Sequence, residues 1–365
     1  MIKFSQDEKA LIFMSQFEFM TSVKFDQVLR HFKNPREIFT AEYNKLLELN
    51  SVLKNNFTTF VEGLSNFKED EFFGNLNKRG IKVTTVISDD YPNKLFRLDN
   101  KPYVLYYVGN IKLAQEKAIA IVGTRNPSNY GKTVTEKYAK TLAENGLCIV
   151  SGLASGVDKI AHESALLVNG NTIAVLGGGF DHIFPSININ LAREIGKKGL
   201  ILTEYYLTQR PTKYSFPARN RIIAGLSSAV LITEAKIGSG SIYTKNYGDE
   251  IGIDTFVVPG NITSEKSSAT NKIIKEGSGQ ITISPDDILS FFDIKKKEKT
   301  EQESTMQLSQ EQAEIVKLLK DGEKDFEFLQ EKTNYSTQNL NFSLTTLEIS
   351  GIIKKLAGNL YELID

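Results

Sequence analysis

From about residue 5 to 75 the apolar positions recur at helical spacing, as in Leu11, Phe13, Met14, Phe17 and again Leu46, Leu47, Leu49, Leu53, with no strand-like alternation. This predicts a small helical domain over 1–75, with Phe32-Lys33-Asn34-Pro35 as a turn between two helical stretches. After Ile81–Val86 the pattern changes. Short runs rich in Ile and Val, at 118–122, 148–150, 172–176, 200–203, 229–233 and 254–258, alternate with helical stretches. Runs apolar on both faces and separated by helices predict a parallel sheet covered on both sides. The fold class expected for 80–290 is therefore α/β, a Rossmann-like doubly wound and mainly parallel sheet. Lys295–Thr305 has no apolar residue, so 293–306 reads as a flexible linker. Beyond it, 307–365 shows short amphipathic helices and then a Gly358-Asn359 turn between two apolar runs, Ile352-Ile353 and Leu360-Tyr361. Helices followed by a hairpin suggest a winged-helix module.

A chain of 365 residues exceeds one ordinary core and suits two or three domains. No run approaches the ~18 apolar residues of a membrane span. The start lacks a signal peptide's apolar centre and is acidic within nine residues, so a cytoplasmic protein with no membrane partner is expected. The single cysteine, Cys148, sits in an apolar run and reads as core filling. His31, His162 and His182 are widely separated, which leaves no metal-ligand spacing. Neither metal nor cofactor is expected.

Charge changes the picture locally rather than globally. The 44 Lys and Arg balance 44 Asp and Glu, yet residues 210–221 hold Arg210, Lys213, Arg219 and Arg221 with Tyr214 and Phe216 and no acid. Guanidinium groups interleaved with rings suit a ligand offering phosphates and flat bases, which is single-stranded nucleic acid. A solvated basic loop whose rings enter the core is the alternative reading.

In open α/β sheets ligands bind beyond the carboxyl ends of the strands. The residues there are Gly123-Thr124-Arg125-Asn126, Ser151-Gly152-Leu153-Ala154-Ser155-Gly156, Gly177-Gly178-Gly179, Glu204-Tyr205, and Glu234-Ala235 with Gly238-Ser239-Gly240-Ser241. Small residues expose backbone N–H groups at helix starts, so a phosphate-contacting rim that includes Arg125 is expected. Enzyme motifs are poorly matched. Asn126–Thr133 ends like a P-loop but has Asn126 where the first glycine belongs, and dinucleotide fingerprints fail at His182 and Tyr243. No Gly-x-Ser-x-Gly elbow occurs. Glu204 and Glu234 are the well-placed acids, each suited to base chemistry or to pairing with Arg219 or Arg221. Those two arginines, taken as alternating along an extended segment, are expected to divide between a contact and a structural ion pair.

At Gly123-Thr124-Arg125, Ser151–Asp158, Phe216–Ser227 and Thr233–Ser241 the chain resembles the DNA processing protein A (DprA/Smf) family, and the likeness extends from Tyr91-Pro92 to the Gly277 region. The helical start looks like that family's sterile-alpha-motif or helix-hairpin-helix-like domain, and the tail like its winged helix. The resemblance implies a non-catalytic, cytoplasmic protein that binds and shields single-stranded DNA during natural transformation and helps load the recombinase RecA. It implies phosphate contact by Arg125, and a cation and stacking ring at Lys213 and Phe216. The DNA-binding set expected is Gly123, Thr124, Arg125, Gly152, Lys213, Phe216, Arg219, Asn220, Arg221, Ser239, Gly240 and Ser241. Two departures stand out: Ser186 where some members carry lysine, and Tyr206-Leu207-Thr208-Gln209 in place of a glycine turn. Four cations would neutralise up to about four phosphates, with a log-log salt slope near −0.7 for each. So short a rim calls for two sites on one strand, hence a homodimer through the Rossmann-like domain. The alternative is a phosphoribohydrolase-like enzyme acting on nucleotides through Glu234. A duplex-binding regulator is disfavoured, because the candidate recognition helix 337–349 contains Glu348 and no Lys or Arg.

Overall fold

The computed structural model describes residues 4–296, 308–356 and 358–364. Most of the expected 293–306 linker lies outside the described residues. The chain divides into two compact units, Met1–Lys297 and Glu298–Asp365.

The first unit opens with six helices: α1 Gln6–Ser15, α2 Ser22–Leu29, α3 Tyr43–Leu47, α4 Asn50–Leu53, α5 Phe57–Ser65 and α6 Glu69–Lys78. Helix α1 is pinned at both ends. Ser5 and Glu8 form a capping box at its start, where the Glu8 carboxylate also accepts from Ser88 Oγ at 2.6 Å. At its other end Ser15 Oγ meets Tyr106 Oη at 2.7 Å. The Phe-rich core of these helices runs on into Val83, Val104 and Tyr106 of the sheet, so the helical segment and the sheet share buried apolar surface.

The sheet has nine strands: β1 Lys82–Thr85, β2 Val104–Gly109, β3 Ala118–Val122, β4 Cys148–Ser151, β5 Thr172–Val175, β6 Leu200–Thr203, β7 Ala229–Ile232, β8 Asp254–Val257 and β9 Gln280–Ile281. Their order is β1-β2-β6-β5-β4-β3-β7-β8-β9. The strands from β6 to β9 run parallel, and β1 and β2 add an antiparallel edge. Between them lie α7 Asn129–Glu144, α8 Val157–Leu167, α9 Ile189–Lys198, α10 Ser215–Leu226, α11 Ser241–Glu250 and α12 Ser268–Lys275, and α13 Pro285–Phe291 closes the unit. Strand periodicity explains the two layers. Ala118, Ala120 and Val122 face Ile222, Ile223 and Leu226 of α10, whereas Ile119 and Ile121 face Tyr138, Leu142 and Ala161 of α7 and α8. The six apolar runs are thus strands because each is buried on both sides, the doubly wound α/β arrangement. The chain winds outward from β3 through β4, β5 and β6, then returns to place β7 on the other side of β3. That reversal opens a crevice at the carboxyl ends of β3 and β7, where Arg125 and Glu234 follow.

The second unit contains α14 Gln310–Leu319, β10 Lys324–Asp325, α15 Phe326–Thr333, α16 Thr337–Ile349, β11 Ile353–Lys355 and β12 Leu360–Leu363. Its three strands form an antiparallel sheet in the order β10-β12-β11 around Leu329, Leu340, Leu344 and Tyr361.

Candidate nucleic-acid interface

Helix α10 organises the rim. The segment holding Arg219 and Arg221, expected to be extended, is helical from Ser215 onward. Local chemistry explains the difference. Thr212 Oγ1 accepts from the backbone of Ser215 at 3.1 Å, and Ser215 Oγ accepts from Thr212 N at 2.8 Å, so the two hydroxyls tie the first turn. Pro217 falls in that first turn, where its missing N–H is tolerated. Ser215 Oγ also donates to Gly177 O at 2.6 Å, anchoring the helix start on the β5 loop.

One turn of α10 lays the Phe216 ring against Gly177, where a Cβ would lie 2.7 Å from the ring. Phe184 packs beside it at 5.7 Å between centroids, and the exposed Arg125 guanidinium stands over it at 5.5 Å. Residues from the ends of β3 and β5 therefore meet on α10. Lys213, also exposed, precedes the helix with its ammonium 5.0 Å from the Tyr214 ring, and Tyr214 is 73% exposed. Asn220 Nδ2 donates to Gly240 O at 3.1 Å and fixes the Gly238–Ser241 loop, in which the Ser239 and Ser241 hydroxyls pair at 2.9 Å.

Arg219 and Arg221 do not reach the rim surface; each is 4% exposed. Arg219 donates to Gly152 O at 2.7 Å and to Val175 O, and faces Asp158 across Gly152. Burial lowers its guanidinium to about 10 against the pull of Asp158, so it remains a cation. Burial likewise raises the Asp158 carboxyl, opposed by Arg219. Arg221 grips Glu204 with two parallel bonds, 2.8 and 2.6 Å, and donates further N–H groups to Asn100 O at 2.9 Å and Ser22 Oγ at 3.2 Å. Both arginines are spent on the fold, so of Arg125 and the four cations of residues 210–221 those left exposed are Arg125, Lys213 and Arg210.

The backbone groups expected to cradle phosphate are also partly taken. The N–H groups of Gly152 and Ala154 point to the Asp158 carboxylate at 3.1 and 3.4 Å. Thr124 N donates to Glu234 O at 2.8 Å, and the Glu234 carboxylate accepts from Ser128 N and Oγ at 2.7 and 2.6 Å, capping α7. Two internal carboxylates thus occupy positions that helix starts offer to anions. Glu234 is 1% exposed, and each of its carboxylate oxygens accepts from Ser128. Gly123 and Gly156 serve close approach: a Cβ would come within 2.7 Å of Glu234 O at the first and 2.4 Å of Thr124 O at the second. Tyr206, one of the departures in the 206–209 turn, stacks on Phe72 at 5.6 Å, and Ser186 is exposed beyond Phe184. Neither Asp158 as an internal anion nor Phe184 beside Phe216 was signalled by residue spacing.

A family model for DNA recombination-mediator protein A matches residues 82–293. The chain belongs to that family. Within the recombination-mediator family, the protein Smf of Synechocystis is 35% identical over 280 residues, 76% of this chain and 70% of the relative. The X-ray structure of DNA processing protein A from Streptococcus pneumoniae superposes with a TM-score of 0.66 at 33% identity, covering 79% of this chain and 98% of that one. DNA processing protein A from Helicobacter pylori, described for its single-stranded DNA binding mode, gives 0.54 at 35% identity over 59% of this chain and 98% of its own. The recombination-mediator model spans all nine strands and the whole rim. Among the described residues no helix is long and apolar enough to cross a membrane.

Proposed function

We propose that the chain binds single-stranded DNA along this rim, without catalysing a reaction on it. The observation that carries the reading is the stack of Arg125 on Phe216 at 5.5 Å, with Lys213 one turn away, at the reversal point of the sheet. The guanidinium and ammonium pair with phosphates, and the partly buried ring offers a base an aromatic contact, which any base can use. Binding is therefore tolerant of sequence. Two further features of the reading follow from family membership: the protein acts in the cytoplasm during natural transformation, and it delivers its strand to the RecA recombinase. Two or three exposed cations per chain hold a strand weakly, so a homodimer through the sheet-bearing unit supplies the second site. The 307–365 tail, winged-helix-like in element order, is assigned to protein contacts.

Changing Arg125 and Lys213 together to alanine is expected to abolish the gel shift of a labelled oligothymidylate while circular dichroism and the urea midpoint stay unchanged. Undiminished affinity in a folded double variant would remove the rim from the function.

A further inference from the structure

A second concavity lies wholly within the helical segment, away from the rim. It encloses about 710 Å³ between α2 and the turn joining α4 to α5, and its walls include Lys24, Gln27, Arg30, Lys54, Asn55 and Asn56. That volume falls in the range of small-molecule sites, roughly 300–1,000 Å³. No acid lines it. Among the described residues Lys24, Arg30 and Lys54 have no carboxylate within ion-pair distance, and Arg30 and Lys54 are exposed. The nearby acids are committed elsewhere. Asp26 accepts from the Tyr103 hydroxyl, and Glu48 is held by Lys45 at 2.6 Å and by His31 at 3.3 Å. In a chain of net charge zero, three cations without a carboxylate partner around one hollow, Lys24 also lying over the Phe19 ring at 5.4 Å, concentrate positive potential there. Ammonium, guanidinium and carboxamide donors without a carboxylate match phosphate oxygens, and the hollow is larger than one phosphate requires.

We propose that this cleft is a second site that binds nucleotide phosphates, supplied either by a nucleic-acid strand or by a free nucleotide. It does not depend on the rim. The cleft's own residues provide every contact, and among the described residues the hydrogen bond between α2 and the rim helix is that of Ser22 with Arg221.

The test uses the full chain with Lys24→Gln, Arg30→Gln and Lys54→Gln combined, against a control that removes the same charge at exposed Lys140, Lys197 and Lys275. Fluorescence anisotropy of six- and thirty-nucleotide oligothymidylates reports the strand, and titration with dTTP reports the free nucleotide. Loss of about tenfold in thirty-nucleotide affinity, with the six-nucleotide affinity unchanged and the salt slope shallower by about 2, supports the site with a strand as ligand. Selective loss of dTTP binding supports it with a free nucleotide. Changes matching the charge control in both probes overturn it. Should the triple variant fail to fold by circular dichroism, Arg30→Gln alone, at an exposed position, is read by the same criteria.

Discussion

Arg221 and Glu204 show how a charge that looks available for a ligand is consumed by the fold. The pair is nearly dry, with side chains 5% and 15% exposed, and every guanidinium donor has a protein acceptor, the fifth being Ala218 O at 3.5 Å. Removing the cation by Arg221→Ala leaves Glu204 unpaired and is expected to cost about 3–5 kcal/mol in urea denaturation, with a far smaller loss when Glu204→Leu accompanies Arg221→Met. The proposed function puts Phe216 on the ligand side. Phe216→Ala should weaken oligothymidylate and oligoadenylate alike by about 1–3 kcal/mol, measured by anisotropy. His162 contributes through pH. Thr172 Oγ1 donates to Ile149 O, so it accepts from His162 Nδ1 at 2.7 Å, and burial, aided by Arg219, lowers the imidazole to about 3. The unfolded chain then binds the proton first, near the ordinary value of 6.5. This contribution is full above pH ~6.5 and is lost as pH falls toward the folded value, by at most about 1.4 kcal/mol per pH unit. His162→Asn should flatten the acid limb of stability between those values; an unaltered slope would refute the assignment. Lys213 and Phe216 stood out in the chain as candidates because a cation beside a ring in an acid-free stretch is a local signal. The fates of Arg219 and Arg221 were not, since their partners Val175, Asn100 and Ser22 are remote in sequence.

At the scale of elements, the β4–α8 loop closes on itself through Asp158, and Gly156 brings it against the β3 loop that carries Arg125. Gly156 has φ +78°, and a Cβ there would lie 2.4 Å from Thr124 O, whereas Gly238 at φ +80° faces open space. Gly156→Ala is therefore expected to part the two loops, lowering both the urea midpoint and oligonucleotide affinity. Gly238→Ala should cost only its backbone strain, roughly 1–2 kcal/mol. Six of the seven parallel strands were legible because burial on both faces leaves an unbroken apolar signature such as Ala118–Val122, whereas the two-residue β9 leaves none. Helix α10 was not. Its first turn carries Pro217 and its capping depends on Thr212, three residues upstream, so the cationic run resembles a loop until the Ser215 hydroxyl is seen on Gly177.

For the whole molecule, zero net charge means that attraction to nucleic acid is local to the exposed cations. With Arg219 and Arg221 withdrawn, the proposed rim site would neutralise two to three phosphates per chain. The log-log salt dependence of affinity should then have a slope of about −1.4 to −2.1 per protomer, against about −2.8 for four contacts. Because the chain divides after Lys297, deletion of 307–365 should leave oligonucleotide anisotropy titrations within about twofold, while any contact made by the tail is lost. The helical character of the first 75 residues was plain from spacing, but the continuity of their core with Val104 and Tyr106 was not, since periodicity reports which face is buried and not against what.

The hydrogen bond from Arg221 to Ser22 joins the helix that presents Phe216 to the first residue of α2. Thermodynamic linkage makes such a joint work in both directions. A molecule that gripped the helical segment and shifted α2 would change the affinity of the rim, and a strand on the rim would change that molecule's affinity by the same factor. Ser22→Ala breaks the joint without touching either surface.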